Sequence, residues 1–145
     1  MSNTVKNALK VKSKHGEYEI ELLGNILRVD GRGVVTKQLL QQYHNDVKKI
    51  TLPLGGQSWG FLGFVHGTGI LTPEAELALV GSIQLRKTYG MSACALVTKE
   101  ADIPTLVNSQ FERVYIEAQI DYYFCSSEDE ALAWLKTVGC STNAN

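Results

Sequence analysis

The stretch that most restricts the fold is SWGFLGFVHG, residues 58 to 67, which is apolar on both of the faces a strand would present. Such a strand has to be covered on both sides, the situation of a central strand in a sheet flanked by helices. Two later runs behave the same way. MSACALVTK, from Met91, is built of small residues that let a helix approach closely, and IDYYFCS, from Ile120, is a further strand. Between them the apolar period changes from two to nearly four. A helix is predicted from about Pro73 to Tyr89, with Thr72 as N-cap, Pro73 at the first helical position, Glu74 and Glu76 at the positive helix end, and Gly90 closing it. The stripe Val107, Phe111, Val114 and Ala118 marks another between Pro104 and Gln119. Ser127 with Glu130 forms a capping box for a last one, whose inward face is Ala131, Trp134, Leu135 and Val138 before Gly139.

Upstream, EYEIELLGNILRVDG alternates. Tyr18, Ile20 and Leu22 point one way, Glu17, Glu19 and Glu21 the other, and Gly24-Asn25 is a hairpin turn signal. Leu39, Leu40, Tyr43, Val47 and Ile50 then recur at helical spacing behind Thr36 as N-cap. The order β-β-α-β-α-β-α-β-α follows. It implies an α/β fold with a mixed, mostly parallel central sheet, an opening hairpin and flanking helices.

Length permits one domain with a self-sufficient core, assigned to residues 17–140 of the 145. Lys6, Lys10, Lys12 and Lys14 stand without an acid in the first sixteen residues, which read as a flexible basic arm; residues 141–145 read as a frayed tail. The net charge of −1 excludes the basic stripe of a dedicated nucleic-acid binder. No run approaches the roughly 18 to 20 apolar residues of a membrane span. The N-terminus lacks the apolar core of a secretory signal, so a cytoplasmic protein is expected. Cys94, Cys125 and Cys140 are odd in number and widely spaced, as in a reducing compartment.

The glycine-spaced loop Gly67-Thr68-Gly69, between an apolar strand and a helix, invites comparison with a phosphate cradle. The dinucleotide pattern needs a third glycine where Thr72 stands, and an acid about twenty residues on, where there is none. Glu74 and Glu76 would also repel an arriving phosphate. His15, His44 and His66 are scattered, without a second ligand-type residue at metal spacing. No nucleophile signature is present. No catalytic residue, metal or cofactor is expected, and the chain is read as a binding protein rather than an enzyme.

One feature resists so plain a description. The helix after the loop lacks a clean polar face: Ala75, Ala78, Gly81 and Ser82 make a small-residue side, and Leu77, Leu79, Val80 and Ile83 spread around much of the rest. A helix of this kind is buried on two sides or meets something other than water. Trp59, Phe61 and Phe64 on the preceding strand, with Phe111 and Tyr115 on the next helix, could line the same space. With Leu77, Val80 and Ile83 they form the expected ligand-binding set.

The segments ILRVDGRGVVTKQLL, GFVHGTGILTPEAE and FCSSEDEALAWLK, in this order, resemble a SpoIIAA-like domain, a bacterial family of STAS/CRAL-TRIO type related to anti-sigma-factor antagonists. The resemblance covers about residues 17 to 139. It implies one of two activities. Anti-sigma antagonists carry a phosphorylated serine in an Asp-Ser-Ser/Thr-Gly loop; the matching place here reads His66-Gly67-Thr68-Gly69, which leaves Thr68 as the candidate switch and a regulatory protein or a second copy as partner. The CRAL-TRIO side implies an apolar cavity for a lipid or other nonpolar molecule. The expectation drawn from residues and resemblance together is a binder of a nonpolar small molecule or lipid, with peripheral association at the inner membrane surface through the basic arm.

Overall fold

The computed structural model describes residues 8–12 and 16–143. Six strands form one sheet in the order β1 (Ala8–Lys12), β2 (Gly16–Leu23), β3 (Ile26–Gly33), β4 (Trp59–His66), β5 (Met91–Val97), β6 (Asp121–Cys125). The first three are antiparallel and the last four run parallel. Helices α1 (Lys37–Thr51), α2 (Pro73–Lys87) and α3 (Pro104–Ala118) make the crossovers, and α4 (Glu128–Thr137) follows the last strand. The α/β architecture is as expected, with one strand more.

That strand corrects the basic arm. Ala8 to Lys12 pairs along β2, from Ala8 opposite Glu21 to Lys12 opposite Glu17, and Lys10 Nζ lies 3.7 Å from a Glu19 carboxylate oxygen. The segment alternates too, with Leu9 and Val11 set against Lys10 and Lys12, but two apolar positions among lysines read as a solvated tail. The remainder of the expected arm, residues 1–7 and 13–15, lies outside the described residues. The frayed tail is corrected in the same way up to Ser141, whose main chain exchanges hydrogen bonds with Asn25; residues 144 and 145 lie outside the described residues.

Local chemistry places each element. The Gly24-Asn25 turn joins β2 to β3, with Leu23 opposite Ile26. Thr36, Thr72 and Ser127 cap α1, α2 and α4, each side-chain oxygen accepting from the main-chain N–H three residues on at 3.1–3.2 Å. The last cap departs slightly from the reciprocal box. Glu130 accepts from Ser126, main chain and hydroxyl, rather than from the Ser127 N–H.

Because neighbouring parallel strands follow one another in sequence, right-handed crossovers put all their helices on one face. The core reflects this. Tyr18, Ile20, Leu27, Val29 and Trp59 pack under Leu40, Val47, Leu79, Ile83 and Val114 of α1, α2 and α3. The opposite face packs Ile26, Leu62, Ala93 and Ala95 against Ala131 and Leu135 of α4 and against Cys140. Gly60 permits that closeness, since a Cβ there would stand 2.9 Å from both Cys140 Sγ and a Leu135 methyl. Leu135 is fully buried, and truncating such a residue to alanine costs about 2–5 kcal/mol.

Candidate functional site

The helix-covered face is not filled. Between the sheet and the three crossover helices lies a cavity of about 110 Å³. Tyr18, Val29, Phe61, Cys94 and Leu96, from strands β2 to β5, form its floor. Leu39, Leu40 and Tyr43 of α1 close one side, Leu79, Ile83 and Arg86 of α2 the roof, and Phe111 and Tyr115 of α3 the far wall. Glu17 and Arg32 border it near the carboxyl end of β3. In parallel sheets that is the end where ligands enter. Gly63 shapes the floor: a Cβ there would meet the Phe61 ring at 2.5 Å and a Leu96 methyl at 2.9 Å, so the ring lies across the strand.

The walls are aromatic. Tyr18 and Tyr43 meet edge to face at 5.2 Å, and Phe111 and Tyr115 lie 5.9 Å apart, with Tyr122 stacked behind Tyr115 at 5.5 Å. Burial pushes the Tyr43 hydroxyl and the Cys94 thiol each up to about 12, and Tyr115 well above its ordinary value. Tyr18 is raised as well, first by burial and then by donating to Asp46 Oδ2 at 2.6 Å. All four are neutral near pH 7. Among the lining residues the charged ones are then Glu17 and Arg32 at the border and Arg86 within. Arg86 is 2% exposed, and its Cζ sits 5.2 Å from the centre of the Tyr43 ring.

Of the expected binding set, Phe61, Ile83, Phe111 and Tyr115 line this cavity. Phe64 borders it along β4, yet alternation sends its ring to the other face, where the Arg28 guanidinium sits 4.3 Å above it. Trp59 is not a lining residue. It is fully buried at the amino end of β4, donating Nε1–H to the Tyr89 carbonyl at 3.2 Å and stacking on Tyr89. Val80 packs against the core away from the cavity, and Leu77 is 78% exposed. Of the two alternatives left open for α2, burial on two sides is not what the structure shows. The helix buries one stripe, Ala75, Leu79, Ile83 and Arg86, and leaves Leu77 and Leu85 in water. Thr68 is exposed at a loop tip between Gly67 and Gly69, both at positive φ.

Tyr18, Tyr43, Cys94 and Arg86 escaped sequence reasoning. For the tyrosines the signal was present, in the alternation of β2 and the apolar stripe of α1. For Arg86 it was subtler: a cation three residues beyond Ile83, on the buried stripe itself.

The other polar cluster lies across the sheet. Asp30 is shared between Arg28 and His66, whose Nε2 is 3.1 Å from Asp30 Oδ1, and Arg28 Nε donates to Glu128 at 3.2 Å. A hydrogen bond from Arg28 holds Asp30 beside the histidine at the end of β4. Among the described residues no three His, Cys, Asp or Glu side chains converge to hold a metal, and no helix is long and apolar enough to cross a membrane. Comparisons with family models, curated proteins and solved structures returned no match.

Proposed function

We propose that this protein binds a small nonpolar molecule in the cavity between the sheet and helices α1 to α3. The observation that carries this is the cavity itself, about 110 Å³ of space walled by aromatic and aliphatic side chains in a fold that packs its other face with alanines and a glycine. Interiors are normally close-packed, and a void forfeits contacts along its whole lining. An engineered apolar cavity of about 150 Å³ takes benzene, so this space suits one ring or a short chain rather than a full lipid tail. Titrating benzyl alcohol into labelled protein, followed by two-dimensional NMR, tests the proposal. Amide shifts should cluster at Phe61, Ile83, Phe111 and Tyr115, and disappear in an Ile83→Phe variant that fills the space. Shifts scattered over the surface, or unchanged in the filled variant, would sink it.

A second reading is favoured by Leu77 and Leu85, 78% and 50% exposed one turn either side of Gly81, where an added Cβ would meet nothing. This stripe would seat a second copy of the chain. Sedimentation equilibrium showing a monomer at the highest soluble concentration removes it.

A further inference from the structure

The cavity holds a charge that its walls leave unanswered. Among the described residues, the buried side-chain nitrogen and oxygen atoms without a hydrogen-bond partner are Nε and Nη2 of Arg86, Nδ1 of His44 and the Tyr89 hydroxyl. Of these residues Arg86 is the one that lines the cavity. Tyr89 follows Arg86 by three residues, His44 follows Tyr43 on α1, and the Arg86 charge acts on both His44 and Tyr89. None of the ion pairs among the described residues includes Arg86, and the carboxylate that borders the cavity, Glu17, makes no bond to it.

A guanidinium stays charged in proteins, and burying it unpaired is among the more expensive things a fold does. Two features offset part of that cost here: the Tyr43 ring face 5.2 Å away, and the C-terminal turn of α2, whose carbonyl end favours a cation. Neither supplies an acceptor in the plane of the guanidinium. Nε and Nη2 are the two donors of one edge of that plane, the edge that meets both oxygens of a carboxylate.

We infer that Arg86 anchors the negatively charged head of the ligand, and that the site takes a small apolar carboxylate, one ring or a short chain with a single carboxylate end. The apolar body lies against Phe61, Ile83 and Phe111. This rests on the cavity being the binding site, and the test separates the two claims.

The probes are benzoate and its uncharged counterpart benzyl alcohol, measured by titration calorimetry on the wild type, Arg86→Met and Arg86→Lys. The expected result is a preference of about tenfold or more for the carboxylate in the wild type. Arg86→Met abolishes that preference, so that carboxylate and alcohol bind the variant alike. Arg86→Lys, which keeps the charge without the fork, falls between, and it decides the matter if the methionine variant does not fold. Alcohol and carboxylate binding the wild type equally, or a preference untouched by both substitutions, overturns the anchor and leaves the cavity as a site. Neither probe binding overturns both.

Discussion

Asn25 offers the sharpest test of how this fold is tied together. It stands in the β2–β3 turn and is 3% exposed. Its Nδ2 donates to the Ser58 carbonyl at 2.9 Å and to the Gly139 carbonyl at 3.1 Å, and its Oδ1 accepts from the Ser141 N–H at 2.8 Å. One side chain thus joins the hairpin, the start of β4 and the exit from α4. Its backbone φ is not positive, so alanine inherits the main-chain conformation without strain. Three hydrogen bonds at about 0.5–1.5 kcal/mol each give roughly 1.5–4.5 kcal/mol. Ser58 and Gly139 are exposed, so water reaches their carbonyls and the loss settles near 2–3 kcal/mol. Asn25→Ala should therefore lower the midpoint of urea unfolding with m unchanged, because the surface exposed on unfolding is the same. Asn25→Asp is the second arm. It keeps the acceptor for Ser141 but turns an oxygen toward two carbonyls, so its carboxyl titrates above the ordinary range. The native state then binds the proton first, and the variant regains stability as pH falls toward the unfolded carboxyl value. A loss under about 0.5 kcal/mol for alanine, the scatter of surface substitutions, would refute the assignment of Asn25 as the tie.

Three further outcomes follow from the same structure. Arg86→Met should raise the stability of the ligand-free protein by about 1–3 kcal/mol, since a buried unpaired charge is exchanged for an apolar side chain of similar length; a lower urea midpoint would show that the cation–π contact outweighs the desolvation. Glu130 titrates below its ordinary value because the Ser126 N–H and hydroxyl donate to it, so its contribution is present above the ordinary carboxylate range and is lost as pH falls through the depressed value; Glu130→Gln should flatten that part of the acid limb of thermal stability. Cys94 and Cys125, pushed up by burial to about 12 and about 11, should resist iodoacetamide near pH 8 in the native protein and react at once in urea; rapid native labelling of Cys94, read by mass spectrometry, would mean the cavity opens far more often than the packing implies.

The elements were legible in the sequence wherever one residue type carries a local job. Thr36, Thr72 and Ser127 announce helix starts through their own side-chain oxygens, and Gly24-Asn25 announces a turn. What those residues meet at long range was not legible. Asn25 reads as turn chemistry, and nothing local hints that its amide reaches 114 residues along the chain to Gly139. The face a residue occupies was legible from alternation, which is why Phe61, Phe111 and Tyr115 were placed together. It was misapplied at Phe64, three residues from Phe61 on the same strand and hence on the opposite side. Trp59 shows the remaining limit. Alternation puts it on the same face as Phe61, but position along the strand decides whether a side chain reaches the cavity or the closed end beneath it.

The two faces of the sheet then explain why space is left on one of them only. α4 crosses strands that present Gly60, Ala93 and Ala95, so small side chains let it settle close, with Leu135 and Cys140 filling what remains. The other face has to receive three helices side by side, and its strands present Tyr18, Phe61 and Leu96. Large rings hold those helices at the distance their edges dictate, and Phe61, folded across Gly63, stops short of the roof made by Leu79 and Ile83. Extra methylenes at these positions could close the gap, as Ile83→Phe is designed to do. The native sequence instead keeps rings around the space and places Arg86 on the one buried stripe of α2, where a leucine would satisfy the helix equally well. A void and an unpaired cation each work against stability, and the entry of an apolar anion, as proposed, would relieve both.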